Sequence, residues 1–320
     1  MQFARSEKFK VSANALRALG FFLAQVDITS VLDGTNFGSQ IRGIIQTSLH
    51  NKSPKVSWNA CIVIGKTIKN ETLAQSSEVS NIFFDQRTVR ALFDLISNKP
   101  NIKARIQAIN ALLSYKSIDQ MGGPEMLPLA FDTISDCMDY KTHFKGSTAE
   151  LNYLDVFEDG FLDLWKAISD LLPTVKDEPA LHAYLNSNST FLLLQRVTDY
   201  LRKELQVPQY SGMFTDEAEF AEDTERLFAE SVNNRLETKI SKIKSFLEQL
   251  HRTIEETEGI RVSFSVFEGI KSLAESPVRE YRGLRVLQEI KSSFVPNYAE
   301  DESISAIGDS VLEEEKKAAV

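Results

Sequence analysis

The sequence contains little glycine and proline, with 14 glycines and 9 prolines among its 320 residues. Together they form about 7% of the chain, whereas roughly 12% is average for globular proteins. Folds that depend on many tight turns or on glycine-rich nucleotide loops are therefore disfavoured, and long helices are favoured. Hydrophobic residues at 42% and charged residues at 25% are typical of a globular protein and exclude wholesale disorder.

Cysteines and long apolar runs are also scarce. The two cysteines, Cys61 and Cys137, are too few for a disulfide framework or a cysteine-based zinc site, so a reducing compartment is expected. The longest near-continuous apolar run, residues 18–24, is far too short to span a membrane. Asn14 and Arg17 interrupt the N-terminal apolar stretch, so no signal peptide is predicted. We expect an intracellular protein, cytoplasmic or nuclear, that does not bind membranes.

The net charge of −9 is unevenly distributed along the chain. Residues 1–117 carry 15 lysines and arginines against 7 acidic residues, a balance of +8. Residues 118–320 carry 21 against 38, a balance of −17. Such an asymmetry bears on the choice of binding partner rather than on the fold.

Three segments of the chain align with one another without gaps: KVSANALRALG at 10–20, KVSWNACIVIG at 55–65 and KARIQAINALL at 103–113. Their offsets of 45 and 48 residues lie within or just beside the period of roughly 40–47 residues in helical repeat arrays. Apolar residues recur every fourth position, which places them along one face of a helix. Predicted partner helices at 39–50 and 86–97 complete hairpins that must stack on neighbours to bury their apolar faces.

Small residues occupy two positions of the aligned segments. Ala15, Ala60 and Ala108 lie in the middle of the apolar stripes, where they let a neighbouring helix approach closely. Gly20 and Gly65 close the stripe in two of the three copies. These glycines mark either close helix contacts or helix ends, since both helices could run on past them.

The first aligned helix begins near residue 8, so its partner helix is expected to be absent or reduced to a stub. Terminal repeats of such arrays normally carry a polar outer face. This end of the chain is instead rich in apolar residues, namely Phe3, Phe9, Leu16, Phe21 and Phe22. We therefore expect this end either to continue a longer array or to meet another molecule.

Residues 11–20, VSANALRALG, resemble the second-helix consensus of HEAT repeats. More specifically, residues 14–20 (NALRALG) and 55–61 (KVSWNAC), with a following Lys69 and Asn70, look like the C-terminal region of the HEAT repeat-containing protein 6 family. This resemblance covers about the first 175 residues, and little of the family is visible beyond them.

The resemblance implies an all-α fold, a HEAT/armadillo-like α-solenoid of stacked helix hairpins, in a family without known catalytic chemistry. One position departs from the HEAT pattern. An arginine usually follows the first valine of the second helix, and this sequence has Ser12, Ser57 and Arg105 there. A charge ladder built from that position is therefore not expected.

A column of amide side chains flanks the predicted core. Asn14, Asn59 and Gln107 directly precede the three alanines, about 100° around the helix from them. Amides at such a flank can bond the neighbouring repeat as a structural ladder. They can also bond the backbone of an extended segment, as armadillo proteins do with an asparagine column.

A second column, Lys10, Lys55 and Lys103, lies four residues before the amides, so a segment bound there should be acidic. Trp58 directly precedes Asn59, whereas the armadillo peptide-binding pattern places its tryptophan four residues before the asparagine. This mismatch favours the structural ladder over a peptide groove. A large ring packed on the neighbouring repeat is likewise favoured for Trp58 over a partner-binding anchor.

Chemically reactive side chains form no convincing site. Asp155, Glu158, Asp159 and Asp163 share a predicted helix, and we interpret them as the solvated face opposite its phenylalanines rather than as catalytic carboxylates or metal ligands. The four histidines are scattered along the chain, and both cysteines are interpreted as small core residues. No enzymatic activity, metal, cofactor or small-molecule substrate is expected.

The chain is predicted to divide into HEAT/armadillo-like repeats (1–206), a linker (207–215), a C-terminal helical region that packs on the solenoid (216–297) and an acidic disordered tail (298–320). The heptad-like stripe at 232–254 could form a dimeric coiled coil, but intramolecular packing is favoured. Further helices are predicted at about 125–140, 149–172, 178–186, 189–206, 260–275 and 277–293.

Three classes of function follow from these patterns. A scaffold or adaptor that binds a protein partner along an α-solenoid surface is favoured, because extended surfaces are what such stacks provide. An enzyme is disfavoured because no nucleophile–base or metal constellation can be assembled. A nucleic-acid-associated repeat protein using the basic N-terminal repeats is the alternative. The sequence pI of 5.2 and the lack of alternating basic and aromatic residues argue against it.

Overall fold

The computed structural model describes residues 2–25, 37–70, 81–98, 100–138, 140, 144, 150, 152–205 and 219–256. These residues form ten α-helices and no β-strand, so the prediction of an all-α fold is confirmed for the described part of the chain. The helices are α1 Phe9–Gln25, α2 Phe37–Leu49, α3 Pro54–Lys69, α4 Gln86–Asn98, α5 Ile102–Leu112, α6 Leu127–Met138, α7 Leu154–Leu171, α8 Pro179–Leu185, α9 Asn188–Leu205 and α10 Glu219–Glu256.

The helices pack in two layers. In the first layer, α1, α3, α5, α7 and α10 each contact the next one in this order. In the second layer, α2, α4, α6 and α9 do the same, and the pairs α2–α3, α4–α5 and α6–α7 join the layers. Successive hairpins therefore bury their apolar faces against one another, as the aligned segments predict.

Short polar breaks separate the two helices of each of the first two hairpins. Pro54 occupies the first turn of α3, where its missing N–H costs no hydrogen bond. The side chain of Asn101 caps α5 by accepting a hydrogen bond from the Ala104 N–H at 3.2 Å. Further along, Gly122 and Gly123 both adopt positive φ angles, 91° and 96°, in the turn before α6.

The two glycines of the aligned segments are close-contact positions rather than helix ends, because α1 and α3 both continue past them. A Cβ atom on Gly20 would lie 3.3 Å from the Val63 Cα of α3. A Cβ atom on Gly65 would lie 3.4 Å from the Ala111 Cα of α5. Val63 and Ala111 are themselves aligned positions, 48 residues apart, so the same contact is repeated at two successive helix interfaces.

Substituting Gly65 by valine should lower the free energy of unfolding by about 1–3 kcal/mol, because the new side chain overpacks the α3–α5 contact. Gly43 of α2 provides the matched control, since a Cβ there would make only an ordinary contact. Gly43→Ala should leave stability unchanged or raise it by about 0.5–1 kcal/mol through helix propensity. Urea denaturation followed by circular dichroism measures both, and equal stability of the two variants would contradict the close contact.

The C-terminal half of the described fold is held by aromatic side chains. Trp165 of α7 is 1% exposed, and its ring centroid lies 4.5 Å from that of Phe246 in α10. Phe131 of α6 lies 6.3 Å from the same phenylalanine. Ile243 and Leu250 are also buried on this side of α10. The stripe of α10 therefore packs within the chain over its described part, as favoured above.

Before α1, the described chain forms only a short 3-10 helix, Gln2–Arg5, which matches the expected stub. The hydroxyl of Ser12 donates a hydrogen bond to the Ala4 carbonyl at 2.7 Å and ties the two elements together. Large apolar side chains remain exposed here; these are Phe3, Phe9, Val11, Phe21 and Phe22. The predicted linker 207–215, the helices at 260–275 and 277–293 and the tail 298–320 lie outside the described residues.

Candidate functional site

The first layer has one side that the second layer does not cover. On α3 the residues left exposed or half-buried on this side are Lys55, Trp58, Ile62, Lys66 and Lys69, with spacings of three or four residues. This spacing defines a single face of a helix. The rest of α3 faces α1, α5 and the second layer, and nearly all of it is buried.

The same side continues onto the neighbouring helices. On α5, Lys103 and Gln107 are half-buried and Asn110 is exposed. On α1, the aligned positions Lys10 and Arg17 are exposed. We call this surface, made by these residues together with the five of α3 and with Phe21 of α1, the open face.

Charge on the open face has one sign. Helices α1, α3 and α5 contain no aspartate or glutamate at any position. Their lysines and arginines, apart from the buried Arg105, all lie on the open face. The next helix of the layer, α7, has the opposite character, with five acidic residues and one lysine. The sign of the charge therefore changes within the first layer, between α5 and α7.

The structure separates the three members of the amide column. Asn14 is exposed, Gln107 is half-buried and Asn59 is only 1% exposed. The Nδ2 of Asn59 donates to the Lys55 carbonyl of its own helix at 2.6 Å, and its Oδ1 has no hydrogen-bond partner. The hydrogen bond that Asn59 makes is therefore not one to a neighbouring repeat.

The three lysines of the second column also differ in their exposure and contacts. Lys10 and Lys55 are exposed, whereas the Lys103 ammonium lies 4.4 Å from the centre of the Tyr153 ring. A further cation–π contact joins two helices of the open face, since the Lys66 ammonium lies 3.3 Å from the centre of the Phe21 ring of α1. Phe21 is nevertheless 55% exposed and adds apolar surface among the basic side chains.

Trp58 is half-buried on the open face rather than enclosed between repeats. Ile62 lies one turn further along α3 and is half-buried as well. Tryptophan is enriched at protein–protein interfaces, so Trp58 and Ile62 together offer a small apolar contact area among the lysines. The sequence alone favoured packing on a neighbouring repeat, so the remaining exposure of Trp58 is information that the repeat alignment did not contain.

A third aligned position is occupied by Ser12, Ser57 and Arg105. Their side chains contact neighbouring segments of the fold. The Ser12 hydroxyl bonds the Ala4 carbonyl, and the Ser57 hydroxyl donates to the Asn51 carbonyl at 3.0 Å. Arg105 is 9% exposed, and its guanidinium lies 4.1 Å from the centre of the Tyr140 ring. Burial lowers the pKa of Arg105. This column therefore contacts neighbouring segments of the fold and not the open face.

The carboxylates of α7 do not all face solvent, and the prediction was wrong for Glu158. Asp155 and Asp163 are exposed, but the Glu158 side chain is 3% exposed and its Oε2 lies 2.5 Å from the Lys239 ammonium of α10. The Tyr200 hydroxyl donates to the other oxygen, Oε1, at 2.8 Å. Glu158 therefore joins α7 to α10 through a buried ion pair and to α9 through the Tyr200 hydrogen bond.

Both cysteines are core residues, with Cys61 1% and Cys137 3% exposed. Burial raises the pKa of both thiols, that of Cys137 to about 12, although the nearby Arg105 partly opposes the rise. We expect both thiols to be unreactive toward a water-soluble disulfide reagent at neutral pH and to react fully once denaturant unfolds the chain. Stoichiometric labelling of the native protein would contradict this burial.

Within the described part of the chain, no group of three or more histidine, cysteine, aspartate or glutamate side chains is placed to hold a metal ion. None of the described helices is long and apolar enough to cross a lipid bilayer. No protein-family model matches the chain, and no solved structure matches it either.

Proposed function

We propose that this protein is a non-catalytic scaffold or adaptor of the HEAT/armadillo-like solenoid class, and that it binds a protein partner along its open face. The observation that carries the proposal is the composition of α1, α3 and α5. These three helices have no acidic residue, and their lysines and an arginine surround the half-buried Trp58 and Ile62. Stacked hairpins present such a face as one extended surface.

The chemistry of this face specifies the partner. Lysine ammonium groups attract carboxylates, and the exposed parts of Trp58, Ile62 and Phe21 offer apolar contact. We therefore propose an acidic segment with interspersed apolar side chains as the ligand. Its affinity should fall as salt concentration rises, because exposed charges are screened. Gln107 and Asn14 lie beside the lysines and can bond an extended backbone.

A charge-reversal experiment tests the proposal. Partner capture by the wild-type chain is compared with capture by the triple variant Lys55→Glu, Lys66→Glu, Lys69→Glu, and captured proteins are identified by mass spectrometry. A fluorescent peptide of alternating glutamate and leucine residues serves as a defined probe for titration. We expect the triple variant to lose both the peptide and the captured partner, since an attractive surface becomes repulsive.

The matched control reverses charge in the second layer. Arg87 and Arg90 of α4 are both exposed, and Arg87→Glu with Arg90→Glu should leave binding unchanged. Thermal unfolding of each variant verifies that the fold is intact. Equal binding by wild-type and triple-variant proteins would remove the open face as the site. Tighter binding of RNA or DNA than of the acidic peptide, lost in the same triple variant, would instead support a nucleic-acid-associated protein.

A further inference from the structure

The open face has an order along α3, with apolar side chains in the middle and lysines toward both ends. Trp58 and Ile62 lie one turn apart, and both are half-buried. Lys55 lies one turn before Trp58, and Lys66 and Lys69 lie one and two turns after Ile62. The outermost lysines of this row are separated by roughly 21 Å along the helix. We call Trp58 and Ile62 the apolar centre.

Helix α1 borders the apolar centre on one side. A Cβ atom on Gly20 would lie 3.3 Å from the Val63 Cα, so this stretch of α1 runs beside the middle of α3. Arg17 is exposed here, and the Lys66 ammonium lies 3.3 Å from the centre of the Phe21 ring. This border therefore adds a further cation and an aromatic ring.

Helix α5 borders the apolar centre on the other side. A Cβ atom on Gly65 would lie 3.4 Å from the Ala111 Cα, which places the second half of α5 beside this part of α3. Gln107 is half-buried and Asn110 is exposed here, and neither carries a charge. Cations therefore lie on three sides of the apolar centre, and neutral amides lie on the fourth.

The apolar centre is short. Its two residues cover about 6 Å along α3, which corresponds to one bulky or two adjacent apolar side chains of a ligand and not to a long apolar stripe. In protein interfaces a few central side chains, tryptophan prominent among them, supply most of the binding energy, and the residues around them exclude water. The open face has this arrangement, with its charges at the surrounding positions.

Resting on the protein-binding role proposed above, we infer that the open face selects a segment in which a short apolar anchor is flanked on both sides by acidic residues. The anchor covers Trp58 and Ile62. One acidic flank pairs with Lys55, and the other pairs with Lys66 and Lys69. The order of the ligand's side chains, and not only their composition, therefore decides its affinity.

The centre and its surroundings act on different rate constants of binding. Exposed lysines attract an acidic segment before contact, so they raise the association rate and make it salt-dependent. The apolar centre is fully removed from water only in the complex, so it slows dissociation. This separation gives the anchor a kinetic signature that a merely charged surface lacks.

Three fluorescent peptides of identical composition test the order of side chains on the full chain. Each contains six glutamates and two leucines. The leucines lie together in the middle of the first peptide, at opposite ends of the second and together at one end of the third. We expect the first to bind about tenfold or more tightly than the other two, because only it places an anchor between two acidic flanks.

Stopped-flow kinetics of the first peptide with protein variants gives the second measurement. Trp58→Ala and Ile62→Ala should each raise the dissociation rate about tenfold and leave the association rate unchanged. Lys55→Gln should chiefly lower the association rate and weaken its salt dependence. Leu192 of α9 is 53% exposed, so Leu192→Ala is the matched control and should change neither rate. Thermal unfolding of each variant verifies its fold.

The outcomes separate this inference from the proposed function. Equal affinity for the three peptides, with all binding lost in the triple variant of Lys55, Lys66 and Lys69, would overturn the inferred order and leave the open face as the binding site. Dissociation rates that Trp58→Ala and Ile62→Ala leave unchanged would overturn it as well. If no acidic peptide binds at all, the alternating one included, the proposed function fails and the inferred order fails with it.

Discussion

Replacing Lys239 by methionine is expected to lower the free energy of unfolding by about 3–5 kcal/mol, because it removes the ammonium group that is paired with the buried Glu158 carboxylate. The side chains of Lys239 and Glu158 are 8% and 3% exposed, and their charged atoms lie 2.5 Å apart. The Tyr200 hydroxyl, which donates to the other carboxylate oxygen at 2.8 Å, is unchanged by this substitution. Methionine keeps the apolar length of the lysine, so loss of packing contributes little.

Two further variants separate loss of charge pairing from other effects. Lys242→Met removes a nearby ion pair with Asp163, whose side chains are 22% and 49% exposed, and should cost less than about 1 kcal/mol. The double variant Glu158→Gln, Lys239→Met removes both buried charges and should recover much of the stability lost in Lys239→Met. Urea unfolding of the four proteins gives the values. If Lys239→Met were no less stable than Lys242→Met, the buried ion pair would be refuted.

The repeated part of the fold was predictable from local patterns. The alignment of 10–20, 55–65 and 103–113 located α1, α3 and α5, because residues that face a neighbouring helix recur at helical spacing. Glycine at positions 20 and 65 gave a further signal. The sequence left open whether each glycine marks a close helix contact or a helix end. The structure decides for the close contact, because α1 and α3 continue past their glycines.

The burial of Glu158 in α7 was visible in the sequence, but the identity of its countercharge was not. Glu158 lies three, four and seven residues before Phe161, Leu162 and Trp165, so the helical period alone places it among buried residues. The prediction that Glu158 shares the solvated face of its acidic neighbours overlooked this spacing. Its countercharge, Lys239, is 81 residues away in the sequence, and no local pattern links two positions so far apart.

Part of the candidate site was predictable from the sequence, and part of it was not. Its basic character follows from the sequence, because α1, α3 and α5 have no acidic residue. The different degrees of burial of Asn14, Asn59 and Gln107 could not be predicted from their shared position in the aligned segments. Asn14 is exposed and Asn59 buried, because α3 has a first-layer neighbour on each side, α1 and α5, whereas α1 has only α3 among the described first-layer helices.

The chain has two tryptophans, and the structure gives them opposite roles. Trp58 lies half-buried on the open face, and Trp165 is the largest fully buried side chain of the described core. Trp165→Ala should lower the free energy of unfolding by about 3–5 kcal/mol, because it opens a cavity against Phe246. Trp58→Ala should cost about half as much or less, since its ring is already partly in water.

Fluorescence and denaturation together test this assignment. In a Trp58→Phe protein, Trp165 is the sole tryptophan, so its native emission should be blue-shifted and should move to longer wavelength on unfolding. Trp165→Phe should cost less than Trp165→Ala, because phenylalanine keeps the ring contact and removes the indole N–H, which has no hydrogen-bond partner. Solvent-like emission from native Trp58→Phe, or equal stability of Trp165→Ala and Trp58→Ala, would contradict the packing of α7 on α10.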